Sequence, residues 1–346
     1  METTEVGVGT EISTAAERRA SPLAGLSALP LASYPGASLV GARVRELVTD
    51  SRTQSLAILA LRRRLDSTVC LTCMDLSIEA EAFGAEVMLG DDEVPTVVGR
   101  RVLGAEEASA LGVPGVGTAR TSVQLETVER LADSGEASMV IAGMTGPFSL
   151  ASRLLGVSEA MAMTHEAPDV VQAVVRRATS FLEAYACALL AAGARGILLA
   201  EPSAGLMSPA ALATFSSPYV RVIEGTVRRR GGTVILHHCS ARLAHLPALL
   251  ESGVSHLHFG APMDLVAAMD RVPDEVTLFG NLDPAGVFLN GTPESVASAT
   301  RALCERMIGR PNWVPSSGCD LPARVPVANV AAFVKEARVW RGTGAG

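Results

Sequence analysis

The stretch VILHHCS, residues 234–240, runs apolar and then delivers two imidazoles and a thiol, His237, His238 and Cys239. Side chains of an extended strand alternate faces, so His237 and Cys239 share one face and His238 takes the other. An imidazole and a thiolate on one face offer the N and S donors that Zn(II) favours. Two donors are not a site, and a core histidine beside a buried cysteine fits the same pattern. A third donor stands after WVPSSG, where Cys319 follows Gly318, a residue that allows close backbone approach. His237, Cys239 and Cys319 together would hold zinc with one open position. Glu201, near the end of GILLAEPS (196–203), would fill that position or support the ligands from behind. Cys70-x-x-Cys73 has motif-like spacing but lies within an apparent strand, where its two thiols do not share a face. Cys187 and Cys304 fall on helical stretches and read as small core residues.

The elements that must position these groups are β-like runs alternating with longer helical segments. STVCLTC (67–73), SMVIAGMTG (138–146), GILLAEPS, GTVILHHCS (232–240), SHLHFGAP (255–262), EVTLFGNLD (275–283) and WVPSSGC (313–319) are the runs. PDVVQAVVRRATSFLEAYACALLAAG (168–193), SPYVRVIEGTVRRRG (217–231) and PESVASATRALCERMIG (293–309) are amphipathic helices. Continuously apolar strands alternating with helices imply a parallel sheet covered by helices. The fold class is therefore α/β, and the number of units predicts a closed (β/α)8 TIM barrel rather than an open sheet. GVPGVG (112–117) follows no strand and is not a dinucleotide loop. Asp75, Thr145, Glu201, His237, Cys239, Asn281, Asp283 and Cys319 all fall at the C-terminal ends of runs, the rim where barrel enzymes keep their sites.

Composition bounds the partners. The 346 residues carry 19% charged residues and a formal net charge of -7, which argues against nucleic acid. Two Trp and three Tyr offer no stacking platform for bases. The arginine runs at 62–64 and 228–230 read as solvated helix ends. No stretch reaches the ~20 apolar residues of a membrane span. Arg18 and Arg19 precede a mildly apolar segment, but acidic residues come before them and Pro22 and Pro30 interrupt it. Residues 1–30 are accordingly expected to be a flexible tail, and 31–346 one barrel domain. Six cysteines in so long a chain are not a disulfide scaffold, and a cytoplasmic location is expected.

MDLSIEAEAFGAEV (74–87), GMTGPFSLASRLLG (143–156), EPSAGLMSP (201–209), VILHHCS, GNLDP (280–284) with GTPESV (291–296), and GCDLP (318–322) stand in an order that resembles the uroporphyrinogen decarboxylase superfamily. The resemblance runs from about residue 30 to 342, and the superfamily is built on a (β/α)8 barrel. Its decarboxylases carry an Arg-rich N-terminal signature, near whose place this chain has YPGASLVG (34–41). The chain is more similar to the cobalamin-dependent methyltransferase branch, whose H-x-C and late G-C bind zinc; here these are His237, Cys239 and Cys319. The resemblance implies transfer of a methyl group from a methylcobamide, presented by a partner corrinoid protein, to a thiol such as coenzyme M or homocysteine. A lyase of the decarboxylase type, or transfer to a pterin such as tetrahydrofolate, is the alternative. Glu201, Asp75, Asn281 and Asp283 are expected catalytic groups, and Thr145, Gly146 and Glu79 are expected corrinoid contacts. A turn cap after the strand is the competing reading for Asn281 and Asp283. Where many relatives carry an aspartate after the strand matching SHLHFG, this chain has Gly260, with His256 and His258 close by.

Overall fold

The computed structural model describes Leu23 and residues 25–342. Strand β1 is Val69–Leu71. An antiparallel ribbon, β2 (Glu86–Met88) with β3 (Thr96–Val98), follows it. The remaining strands are β4 (Met139–Thr145), β5 (Gly196–Ala200), β6 (Thr233–His238), β7 (His256–Phe259), β8 (Thr277–Leu282) and β9 (Trp313–Ser317). Seven of them form one parallel sheet in the order β1-β4-β5-β6-β7-β8-β9. β4 and β5 are buried at every position, because one face looks into the barrel and the other lies under helices. The architecture is the expected helix-covered barrel, a curled sheet of (β/α)8 type. No helix among the described residues is long and apolar enough to cross a membrane.

The Pro168–Ala191 helix shows how the outer layer is written. Val171, Val174, Val175, Ala178, Phe181, Leu182, Tyr185, Ala186 and Leu189 recur at three- and four-residue spacing and are all buried. Phe181 stacks on Tyr185, with ring centroids 5.6 Å apart.

Of the expected N-terminal tail, residues 1–30, the structure describes Leu23 and residues 25–30. Residues 1–22 and 24 lie outside the described residues, but Leu23, Leu29 and Leu31 pack in the cluster formed by Leu71, Ile141, Leu198, Ile235 and Phe279. Leu29 N donates to Pro315 O at 3.0 Å, Leu31 N to Ser317 Oγ at 2.9 Å, and Leu321 N to Leu31 O at 2.8 Å. Residues 29–31 thus lie along β9, at an edge of the seven-stranded sheet that pairs with no further strand among the described residues, and satisfy backbone and side-chain groups there.

Candidate metal centre at the strand ends

The backbone of β6 does what its pattern predicts. His237 points to the interior and His238 lies behind the wall, 1% exposed, with no hydrogen-bond partner for either ring nitrogen among the described residues. Burial pushes His238 down to about 3, so it stays neutral. Cys239 continues the His237 face, and Cys319 arrives from two residues past β9. The donor atoms of His237, Cys239 and Cys319 all lie within 4.8 Å of one another, with Cys319 Sγ 3.4 Å from His237 Nε2. Tetrahedral zinc, with bonds near 2.0–2.3 Å, needs donors roughly 3.4–3.8 Å apart. One imidazole and two thiolates at this spacing therefore fit that ion. His237 is buried and the two sulfurs are half-buried, so the open side of the site is the sulfur side. The thiol hydrogen bond from Cys319, then His237, pulls Cys239 well below the usual thiol value. In turn, the hydrogen bond to Cys239, then burial, pushes Cys319 up.

Gly260 has a geometric reason to be glycine. It follows β7, its N–H donates to His238 O at 3.2 Å, and a Cβ there would collide with the Cys239 carbonyl. An aspartate at this position would meet the Cys239 carbonyl with its Cβ. Asn281 Nδ2 donates to Gly260 O at 3.0 Å and to Met263 O at 2.8 Å, pinning the loop after β7. Asp283 Oδ1 accepts from Ala285 N at 2.9 Å and caps the turn after β8. Both side chains thus make hydrogen bonds to backbone at the rim.

Glu201, expected as a ligand or catalytic group, has its carboxylate oxygens bonded to the helix that follows β4. It is fully buried, and Oε1 accepts from Phe148 N at 2.9 Å while Oε2 accepts from Ser149 N at 2.8 Å. Ser216 Oγ donates to Oε1 at 3.2 Å. Glu201 is thus the N-terminal cap of the Pro147–Leu155 helix, supplied from the next strand. Burial raises its carboxyl above the ordinary value while these donors pull it back. Gly146, expected at the corrinoid, serves this contact: a Cβ there would collide with Glu201 Cγ.

Glu79 and Thr145 form a second closed unit. Thr145 N donates to Oε1 at 2.9 Å and Thr145 Oγ1 to Oε2 at 3.0 Å, with both residues fully buried. Burial raises Glu79 from 4.5 to about 7. With the folded pKa raised, the contribution of Glu79 to stability is present below about pH 4.5 and is lost as pH climbs to about 7. Glu79→Gln should therefore flatten urea-measured stability across that window, removing a decline of about 3 kcal/mol by linkage. An unchanged slope would place the raised proton elsewhere.

Asp75 accepts from Ser77 N at 3.0 Å and Ser77 Oγ at 2.6 Å, and pairs with the buried Arg120. Arg120 also donates to Ser77 Oγ at 2.8 Å and lies 2.7 Å from Glu81. No sequence pattern points to Arg120, which opens a helix 45 residues after Asp75. His258 was equally missed as a site residue. It stands beside His237 on β7, with the two Nδ1 atoms 2.8 Å apart. Its signal was the matching phase of HHC and HLH on consecutive strands.

With this geometry, comparisons with known proteins are specific. The model of the family described as uroporphyrinogen decarboxylase (URO-D) matches residues 36–340. A methylcobamide:CoM methyltransferase of Methanosarcina acetivorans is 28% identical over 77% of this chain and 78% of its own length. A uroporphyrinogen decarboxylase of Xylella fastidiosa is 27% identical over 76% of this chain and 75% of its own. The solved structure of a methyltransferase from Methanosarcina mazei superposes with a TM-score of 0.83 at 22% identity, covering 94% of this chain and 99% of that one. The match to the family model extends from Pro35's neighbour Gly36 to Trp340, through every barrel strand and both halves of the His–Cys–Cys cluster, and the chain belongs to the uroporphyrinogen decarboxylase family.

Proposed function

We propose that this chain is a zinc-dependent methyltransferase that moves a methyl group from a protein-bound methylcobamide to a thiol, giving a thioether. The observation that carries the reading is the convergence of His237, Cys239 and Cys319 within 4.8 Å at the strand ends. The methyltransferase relative from Methanosarcina acetivorans, whose name specifies methylcobamide and CoM, supports the same chemistry. When bound, zinc supplies the Lewis acidity that keeps an acceptor sulfur as thiolate near neutral pH. The protein's own work is to hold the donor set on a rigid rim and to aim the acceptor sulfur outward. His237 presents Nε2, and Cys239 and Cys319 present their sulfurs from two strands whose ends Gly260 and Asn281 tie together. The half-buried sulfur side leaves the approach from which the methyl carbon must come. The acceptor thiolate attacks that carbon, the C–Co bond breaks, and its electron pair stays on cobalt as Co(I).

The test is to incubate the zinc-loaded chain with methylcobalamin and, separately, coenzyme M or homocysteine under anaerobic conditions. Thiol-dependent appearance of the Co(I) spectrum, with thioether formed in equal amount, is the expected result. Release of CO2 from a porphyrinogen with no methyl transfer would replace this reading by the decarboxylase one.

A further inference from the structure

Behind the three donors lies a chain of hydrogen bonds that ends on the N-terminal segment. His237 Nδ1 is 2.8 Å from His258 Nδ1, and the two rings meet edge-on, 75° apart. His258 Nε2 is 2.8 Å from Ser316 Oγ, and Ser316 Oγ donates to Leu29 O. His258 and Ser316 are fully buried, so no water competes for these groups.

The direction of each proton follows from the far end. Leu29 O is a carbonyl and only accepts, so the Ser316 hydroxyl proton is spent on it. Ser316 Oγ then accepts from His258 Nε2–H. A buried neutral imidazole carries one N–H, which leaves His258 Nδ1 as an acceptor. His237 must therefore donate through Nδ1–H, which strips Nε2 of its proton and turns the lone pair toward Cys319.

We propose that His258 and Ser316, anchored on Leu29 O, are positioning residues that fix His237 in the Nδ1–H tautomer, so that Nε2 is committed as a metal donor before any metal arrives. This rests on the zinc reading given above. The chain of contacts also explains why residues 29–31 run along β9: the segment that covers the sheet edge supplies the last acceptor. Imidazole in water favours the other tautomer, which would place a proton on Nε2. Removing the Nδ1 partner therefore makes binding displace that proton at a cost.

The experiment uses the full chain as wild type, His258→Leu, His258→Gln and Ser316→Ala. Zinc affinity is read by chelator competition, and the imidazole tautomer by 15N–1H spectra of the zinc-free proteins. His258→Leu should weaken zinc about 10- to 100-fold, the usual range for loss of a ligand's supporting partner. His258→Gln, which can accept from His237 and donate to Ser316, should recover most of it, and Ser316→Ala should fall between. The wild type should show His237 protonated on Nδ1 without metal, and His258→Leu should show it on Nε2. Affinity of His258→Leu within twofold of wild type, or an Nε2-protonated His237 in the wild type, overturns the proposal. A wild type that takes up no zinc overturns the metal reading instead, and the 15N signals then still decide the tautomer.

Discussion

Cys239→Ser is expected to leave the purified chain with less than a tenth of a zinc per molecule where the wild type carries about one, and to abolish thiol methylation. The size of the effect follows from the donor set. Three protein ligands are the minimum for a site that keeps a position open, and removing one leaves two. A serine hydroxyl stays protonated at neutral pH and is a harder, weaker donor to zinc than a thiolate. Cys239 is also the thiol whose charge its neighbours favour most, through Cys319 first and His237 after it. The substitution is nearly isosteric at a half-buried position, so thermal unfolding of the metal-free proteins should shift by no more than a few degrees. Cys319→Ser should behave alike, because its sulfur shares the same 4.8 Å cluster. Elemental analysis after reducing, chelator-free purification reads the outcome directly. A Cys239→Ser protein that keeps a full complement of zinc would move the metal to other ligands and take thiol activation away from this rim.

Why this triad was legible in the sequence, and its surroundings were not, is a matter of range. H-x-C needs only the alternation of a strand, and WVPSSGC needs only its apolar run and its glycine; both elements form where local pattern places them. The barrel was legible for the same reason, since the strands of its parallel sheet are largely apolar runs between helical periods. The hydrogen bonds of Glu201 were not legible, because its oxygens accept from amides 52 and 53 residues upstream and no local pattern records a cap supplied across strands. The Asp75–Arg120 pair and the His237–His258 contact likewise join residues far apart in sequence that only the folded chain brings together. Leu29 and Leu31 have neither helical nor strand period; their place follows from an open sheet edge, not from their own sequence. Gly260 was the informative departure. Read in sequence it is a missing aspartate, and in the fold it is the only residue that clears the Cys239 carbonyl.

The contrast between local pattern and remote claim gives the second large prediction. Glu201→Ala should destabilise the fold by about 4 kcal/mol while leaving zinc near one per chain. Two backbone N–H groups, of Phe148 and Ser149, would lose their acceptors in a fully buried setting, at about 1–3 kcal/mol each. The positive end of the Pro147–Leu155 helix would lose its facing carboxylate, a further contribution of about 0.3–2 kcal/mol. Gly146 gives the carboxylate its room, so alanine would leave a gap against a backbone that has no side chain to fill it. Glu201→Gln keeps one carbonyl acceptor but turns an NH2 toward an amide N–H, and should lose roughly half as much, about 2 kcal/mol. The proposed donors sit at the end of β6 and after β9, and Glu201 meets β6 through its own backbone N–H to His237 O at 2.9 Å, which either substitution preserves. Urea unfolding paired with zinc analysis on each variant separates the two roles. Loss of stability with zinc retained makes Glu201 the cap that aligns the Pro147–Leu155 helix over the rim. Loss of zinc with stability retained would make it a ligand, and the hydrogen bonds to Phe148 and Ser149 would then have to break when metal binds.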